Sequence, residues 1–217
     1  MKIVIGVPTG QRGKQAEKAI ASWKKRGFDV CVRTWDIDLT PYKEADTVFQ
    51  TKTRESFAVN QNAMMDTDWD VWICGADDLW PGEQLDLHER IEVISEEAGN
   101  RLLWVGDGLF NQQPTHPIIT REMYDDQGGV IFDEAYIHNF VDTDLFARML
   151  VKKKVAKCPH ICFDHRHYYT QKTKEDEISL IGSQSYPEDA VLFHKKWGDL
   201  TINTIADVEI LEIEEEA

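Results

Sequence analysis

Trp69-Asp70-Val71-Trp72-Ile73-Cys74-Gly75-Ala76-Asp77-Asp78 is the stretch on which the fold turns. Residues 69–75 read as a buried strand, and the strand ends in a pair of adjacent carboxylates. Before it, 54–65 has the pattern of a helix. After it, Pro81 and Gly82 break the chain, 83–98 is helical, and 101–106 (RLLWVG) supplies another strand.

The N-terminal part has the same alternation. Residues 2–7 form a short β-rich apolar run closed by Pro8, and 15–25 carries Ala16, Ala19, Ile20 and Trp23 at helical spacing. Gly27 ends that helix, and 29–35 (DVCVRTW) reads as the second strand. The order βαβαβαβ predicts an α/β chain with a nucleotide-binding, Rossmann-like parallel sheet in one domain. Ligands in such sheets sit beyond the carboxyl ends of the strands. From Asp107 onward the regularity fades. A helix is expected over 142–153, a strand over 155–169, a polar mobile loop over 170–187, a last helix over 188–197, and an acidic solvated tail over 209–216.

Composition narrows the function. The 217 residues carry 24 Lys+Arg against 39 Asp+Glu, a formal charge of −15 that repels a phosphate backbone and argues against a nucleic-acid coat. No apolar run approaches the ~20 residues of a membrane span. The run from Ile3 to Val7 is shorter than the about 7–15 apolar residues of a secretory signal. Four cysteines are too sparse for a disulfide framework, so a cytoplasmic setting is expected.

Adjacent carboxylates at Asp77-Asp78 repel one another at a poorly solvated strand end, and a divalent cation resolves the conflict. Hard oxygen ligands on a short turn suit Mg²⁺ or Mn²⁺ holding a substrate diphosphate. In an extended chain His165 and His167 point to one face, and either imidazole could join the carboxylates at one metal. Asp142 or Thr143 suits a helix N-cap, while Asp142 or Asp144 could instead serve as a general base. Pro8, Thr9 and Arg12 after the first strand, with Asp36 after the second, occupy the place where an α/β sheet holds a nucleotide. Arg54 could face a phosphate. Trp80 and Trp104 at strand ends could stack on a sugar or a base. Neither GxGxxG nor GxxxxGK[ST] occurs.

In order and spacing these features resemble the glycosyltransferase A-type fold, particularly small family-2-like transferases of the phage type. The resemblance covers about residues 1–198 and leaves 199–217 as a tail. It rests on Val4-Ile5-Gly6-Val7-Pro8-Thr9, Asp36, Gly75-Ala76-Asp77-Asp78 as an Asp-x-Asp-like motif, Phe140-Val141-Asp142-Thr143-Asp144 as the base motif, His165 or His167, and Phe193-His194-Lys195-Lys196-Trp197 as the closing helix. It implies a metal-dependent, inverting transfer of a sugar from a nucleotide sugar, a uridine diphosphate sugar first, to a hydroxyl. Asp78 would ligate Mn²⁺ or Mg²⁺, Asp77 would contact ribose or the metal through water, and Pro8, Thr9, Arg12, Asp36 and Arg54 would line the donor site. The acceptor stays open, a modified base in viral DNA included. A nucleotidyltransferase, or a non-catalytic relative that binds a sugar or a partner, are the alternatives.

Overall fold

The computed structural model describes residues 1–109, 112–167, 169, 176–198 and 210–213. The elements run β1 (Ile3–Thr9), α1 (Gly13–Lys25), β2 (Asp29–Thr34), β3 (Thr47–Gln50), α2 (Phe57–Met65), β4 (Val71–Cys74), β5 (Leu79–Trp80), α3 (Leu87–Ala98), β6 (Leu102–Gly106), β7 (Ile118–Thr120), α4 (Arg121–Asp126), α5 (Val141–Val151), β8 (Val155–Cys162), β9 (Asp164–His165), α6 (Glu177–Gln184), α7 (Tyr186–Trp197) and β10 (Leu211–Glu212). An eight-stranded sheet has the order β10-β8-β6-β7-β4-β1-β2-β3. Among the described strands of this sheet only β7 runs against the rest, antiparallel to both β4 and β6. It is the wedge that separates the two parallel halves.

Apolar side chains bury both faces. On one side α1 and α3 cover the sheet with Ile20, Trp23, Leu87 and Ile91, and on the other α2, α5 and α7 cover it with Met64, Leu145, Met149 and Phe193. Fully buried indoles satisfy their N–H groups, as their polarity requires. Trp23 Nε1 donates to Leu79 O at 2.9 Å, Trp69 Nε1 to Met65 O at 2.8 Å, and Trp72 Nε1 to Gln61 Oε1 at 2.9 Å. The Gln61 amide donates in turn to the carbonyls of Gly6 and Gly75, at 3.1 and 3.0 Å, and so clips β1 to the turn after β4. A Cβ on Gly6 would stand 2.2 Å from the Trp72 ring, so this clip needs glycine there.

Several boundaries differ from the sequence expectations. The helix expected from residue 54 begins at Phe57 because Ser56 caps it, accepting from Val59 N at 3.2 Å. The helix expected from 83 begins at Leu87. The Arg26 guanidinium holds the carbonyls of Gly82, Glu83 and Gln84, which keeps that segment out of helical geometry. The polar connection after β2 contains β3, a half-exposed edge strand, and the irregular region contains β7. The single strand expected over 155–169 is two, because its end turns to pair with β5 instead of the main sheet. Of the loop expected over 170–187, residues 170–175 lie outside the described residues. The remainder is helical: Asp176 caps α6 and Pro187 sits in the first turn of α7, where its missing N–H costs nothing. Of the tail expected over 209–216, residues 210–213 are described: Leu211 and Glu212 pair with β8 yet stay exposed, and Ile213 is buried.

Candidate active site

The parallel strands deliver their last residues to one edge. Thr9 ends β1, Asp77 and Asp78 follow β4, and Asp107 follows β6. β9 is stitched across them by main-chain bonds. Phe163 N donates to Gly106 O at 2.8 Å, His165 N to Asp107 O at 3.2 Å, and Arg166 N to Asp78 O at 2.7 Å. The ladder aims the His165 ring between two carboxylates. Its Nδ1 lies 3.0 Å from Asp107 Oδ2 and its Nε2 3.6 Å from Asp78 Oδ1.

Asp77 and Asp78 are both buried, yet their surroundings differ. Asp77 accepts from Thr9 Oγ1 at 2.7 Å and from Arg12 Nη1 at 3.3 Å. Burial and the neighbouring Asp78 charge push its carboxyl up to about 7. Burial also raises Asp78, but the hydrogen bond and charge of His165 outweigh it and hold this carboxyl at about 2. Asp78 therefore carries the negative charge of the pair, and Asp77 is the carboxyl that resists ionisation. Burial lowers His165, and hydrogen bonds to Asp107 and Asp78 more than reverse that, to about 9.

A cavity of about 380 Å³ opens in front of these groups. Its lining includes Asp78, His116, His165 and His167 together with Phe140, Asp142, Thr143 and Tyr186. The His165 and His167 rings both face it, 5.4 Å apart between centroids. Burial lowers the His167 imidazole. Asp142 stands at the start of α5, with Oδ1 accepting from Thr143 N at 2.9 Å and Oδ2 from Gln113 Nε2 at 3.0 Å. Burial pushes it up to about 6. Neither Asp142 nor Thr143 is the N-cap. Phe140 takes that position in a left-handed conformation, φ 61°, and its ring stacks on Phe193 at 5.1 Å.

Asp144, the other carboxylate of this motif, is directed away from the cavity. It is fully buried and meets Arg148 Nε at 3.0 Å, Lys196 Nζ at 3.0 Å, Trp197 Nε1 at 2.9 Å and Tyr136 Oη at 3.2 Å. Helical periodicity explains the split: residues two apart on a helix point to different sides. Trp80 and Trp104 are also spent elsewhere. Arg166 covers the Trp80 ring at 3.8 Å, and Trp104 packs edge-on against Phe146 in the core.

In the loop after β1, Arg12 joins Asp77 to Asp176 and Ser179. Burial lowers its guanidinium, and the carboxylates more than compensate. Pro8 lies within β1 opposite Arg33. Asp36 accepts from Gln11 N and from Tyr42 Oη, which shapes the loop from beneath. Arg54 lies before α2, 6.0 Å from the Trp35 ring centroid, and its Nη1 is buried with no hydrogen-bond partner among the described residues. Burial and the Arg12 charge both disfavour its proton.

Sequence reasoning missed Asp107, Gln113 and His116. Asp107 ends the apolar run of β6 as Asp77 ends that of β4, a repeated strand-then-aspartate signal. His116 lies between Pro114 and Pro117 in an irregular stretch without periodicity.

No described helix is long and apolar enough to cross a membrane. No protein-family model matches the sequence, and no curated protein matches it by sequence search. Solved structures do match. Glucosyl-3-phosphoglycerate synthase from Mycobacterium tuberculosis, in complex with Mn²⁺, uridine diphosphate and phosphoglyceric acid, is 11% identical with a TM-score of 0.63, over 91% of this chain and 78% of that one. Mannosyl-3-phosphoglycerate synthase from Rubrobacter xylanophilus is 12% identical, TM-score 0.58, over 93% and 76%. S. aureus TarS 1–349 is 12% identical, TM-score 0.57, over 91% and 73%. With its mostly parallel sheet and carboxyl-edge cavity, the chain has the α/β fold of the glycosyltransferase A type.

Proposed function

We propose that the chain is a metal-dependent glycosyltransferase that moves a sugar from a nucleotide sugar to a hydroxyl, with inversion. The observation that carries this reading is the placement of Asp78 and His165 together, 3.6 Å apart, at the carboxyl edge of a sheet of this type and at the mouth of a cavity. A carboxylate and an imidazole whose far nitrogen is held by Asp107 suit a divalent cation, Mn²⁺ or Mg²⁺, with His165 as the ligand in preference to His167. When bound, the cation stabilises the leaving diphosphate.

The remaining roles fall to the chain's own side chains. Thr9, Arg12 and Asp77 form the floor beneath the donor, and Pro8 and Asp36 shape the loop around it. Arg54, with an unmatched buried N–H, suits a phosphate oxygen. Asp142 is the base: it takes the acceptor hydroxyl proton as that oxygen bonds to the sugar's anomeric carbon and the bond to the diphosphate breaks. A carboxyl raised to about 6 is ionised at neutral pH and still basic enough for this task.

The cavity lining favours a neutral acceptor. It offers the rings of Phe57, Phe140 and Tyr186 and, among the described residues, no lysine or arginine. The neighbours crystallised with phosphoglyceric acid bind an anion; this wall suits a sugar face better. Net charge of −15 further disfavours DNA, although a modified base in viral DNA carries a suitable hydroxyl. Residues 1–198 supply the transferase unit, and β10 from the stretch 199–217 adds an edge strand to its sheet. A thermal-shift titration with uridine diphosphate tests the reading. Stabilisation of about 2.7 kcal/mol at 100 times the dissociation constant is expected with Mn²⁺, and none in excess chelator. Equal stabilisation in both would overturn it.

A further inference from the structure

Beside Asp78, His116 and His165 line the same cavity. Asp107, His116 and His165 each bring a ligand-type atom within 4.8 Å of the other two, and all three are buried. The His116 and His165 rings meet edge to face, with centroids 4.6 Å apart. Both rings are anchored through Nδ1: His116 to Cys74 O at 2.8 Å, His165 to Asp107 Oδ2 at 3.0 Å. A carbonyl can only accept, so His116 Nδ1 carries the proton and Nε2 presents a lone pair. That Nε2 is buried with no hydrogen-bond partner among the described residues, in a residue only 5% exposed. A buried acceptor left empty is destabilising unless something fills it. A tautomer fixed by a backbone carbonyl, with the other nitrogen bare, is the arrangement of a metal-ligating histidine.

Resting on the metal-dependent reading above, we propose that His116 is a further protein ligand of this centre, and that the resulting two-imidazole, carboxylate-flanked site selects a first-row transition ion such as Mn²⁺ over Mg²⁺ and holds it without nucleotide. Mg²⁺ prefers oxygen donors and keeps its waters, whereas imidazole nitrogens favour transition ions. Asp78, His165 and the donor's phosphates already set one imidazole among the oxygen donors. His116 adds a second, which strengthens the preference.

Electron paramagnetic resonance of Mn²⁺ titrated into the nucleotide-free protein tests this. Binding is expected, with nitrogen modulation from two imidazoles and about a tenfold or larger excess of Mg²⁺ needed for displacement. His116→Gln keeps a donor for Cys74 O, and a thermal melt checks its fold. This variant should lose one nitrogen coupling and about tenfold in Mn²⁺ affinity. One nitrogen coupling in the unaltered protein, or unchanged affinity and spectra in a folded His116→Gln, would overturn the proposal. Uridine diphosphate stabilisation with either Mn²⁺ or Mg²⁺ would then still stand, so the two readings fail separately.

Discussion

Arg12 and Asp176 stand 164 positions apart in the sequence and meet through both prongs of the guanidinium, Nε to Oδ2 at 2.7 Å and Nη2 to Oδ1. The same guanidinium reaches Asp77. The loop after β1, the carboxylate pair and the start of α6 are thus one electrostatic unit. Asp176 is also the α6 cap, accepting from Ser179 N at 3.0 Å. Asp176→Ala should therefore lose about 1 kcal/mol of capping along with the ion pair, whereas Arg12→Ala keeps the cap and loses the ion pair together with the contacts to Asp77 and Ser179. Hydrogen exchange over 177–184 should rise in both and more in Asp176→Ala. Wild-type protection in Arg12→Ala would show that the pair does not hold the helix.

Replacing Asp142 by Asn should lower kcat by about 10²–10⁴ while sparing donor affinity. The acid limb of the wild-type pH–rate profile, near the value of about 6 at which burial sets this carboxyl, should vanish with it. The base works ionised, so activity is present above that value and fades as pH falls through it. Stability moves the other way. A carboxyl raised on folding binds its proton more tightly in the folded state, so the fold weakens as pH climbs from about 4 to about 6. Asp142→Asn should accordingly be more stable than wild type at neutral pH, by on the order of 2 kcal/mol, and equal at pH about 3.5. Asp144→Asn, which strips charge from a network of Arg148, Lys196 and Trp197, should instead destabilise at neutral pH.

Asp78→Asn and His165→Ala should each abolish metal-dependent stabilisation by uridine diphosphate, and His167→Ala should keep most of it. The difference follows from anchoring: the His165 ring is fixed by Asp107 and by the β5–β9 pairing, on the side facing Asp78. Equal losses from the two histidine variants, measured by thermal shift with Mn²⁺, would place the ligand role on both rings.

Gln61→Leu should cost on the order of 2–3 kcal/mol in urea unfolding, since it deprives Trp72 Nε1, Gly6 O and Gly75 O of a partner at once in a dry environment. A loss below about 0.5 kcal/mol would mean that these groups find other partners.

What the sequence discloses depends on where information is stored. β1, α1, β2, β4 and β6 are legible because uninterrupted apolar runs and helical periodicity are local signals. Asp77, Asp78 and Asp142 are legible because carboxylates at the ends of such runs are conspicuous. β3 and β7 are not, since each is short and takes its conformation from a neighbour that pays back no trace in its own residues. The separation of Asp142 from Asp144 depends on where α5 begins, and that start is set by a left-handed Phe140 which no propensity announces. His116 is invisible for the same reason: what places it is a hydrogen bond to Cys74 O, 42 positions away.

The main-chain ties from Phe163, His165 and Arg166 to Gly106, Asp107 and Asp78 make spacing, more than identity, the heritable property of this centre. A change at Asp164, or an apolar replacement that fills the buried volume of Phe163, keeps these amides in register. Inserting one residue between Cys162 and His165 turns the imidazole to the opposite face of the strand, because side chains alternate with each step. Lineages that keep this centre are therefore free to drift in composition across β8 and β9 while the count of residues from Cys162 to Arg166 stays fixed. In a chain with so little identity to its structural neighbours, a gap in that short interval is a more telling sign of lost chemistry than any single substitution outside the ligands themselves.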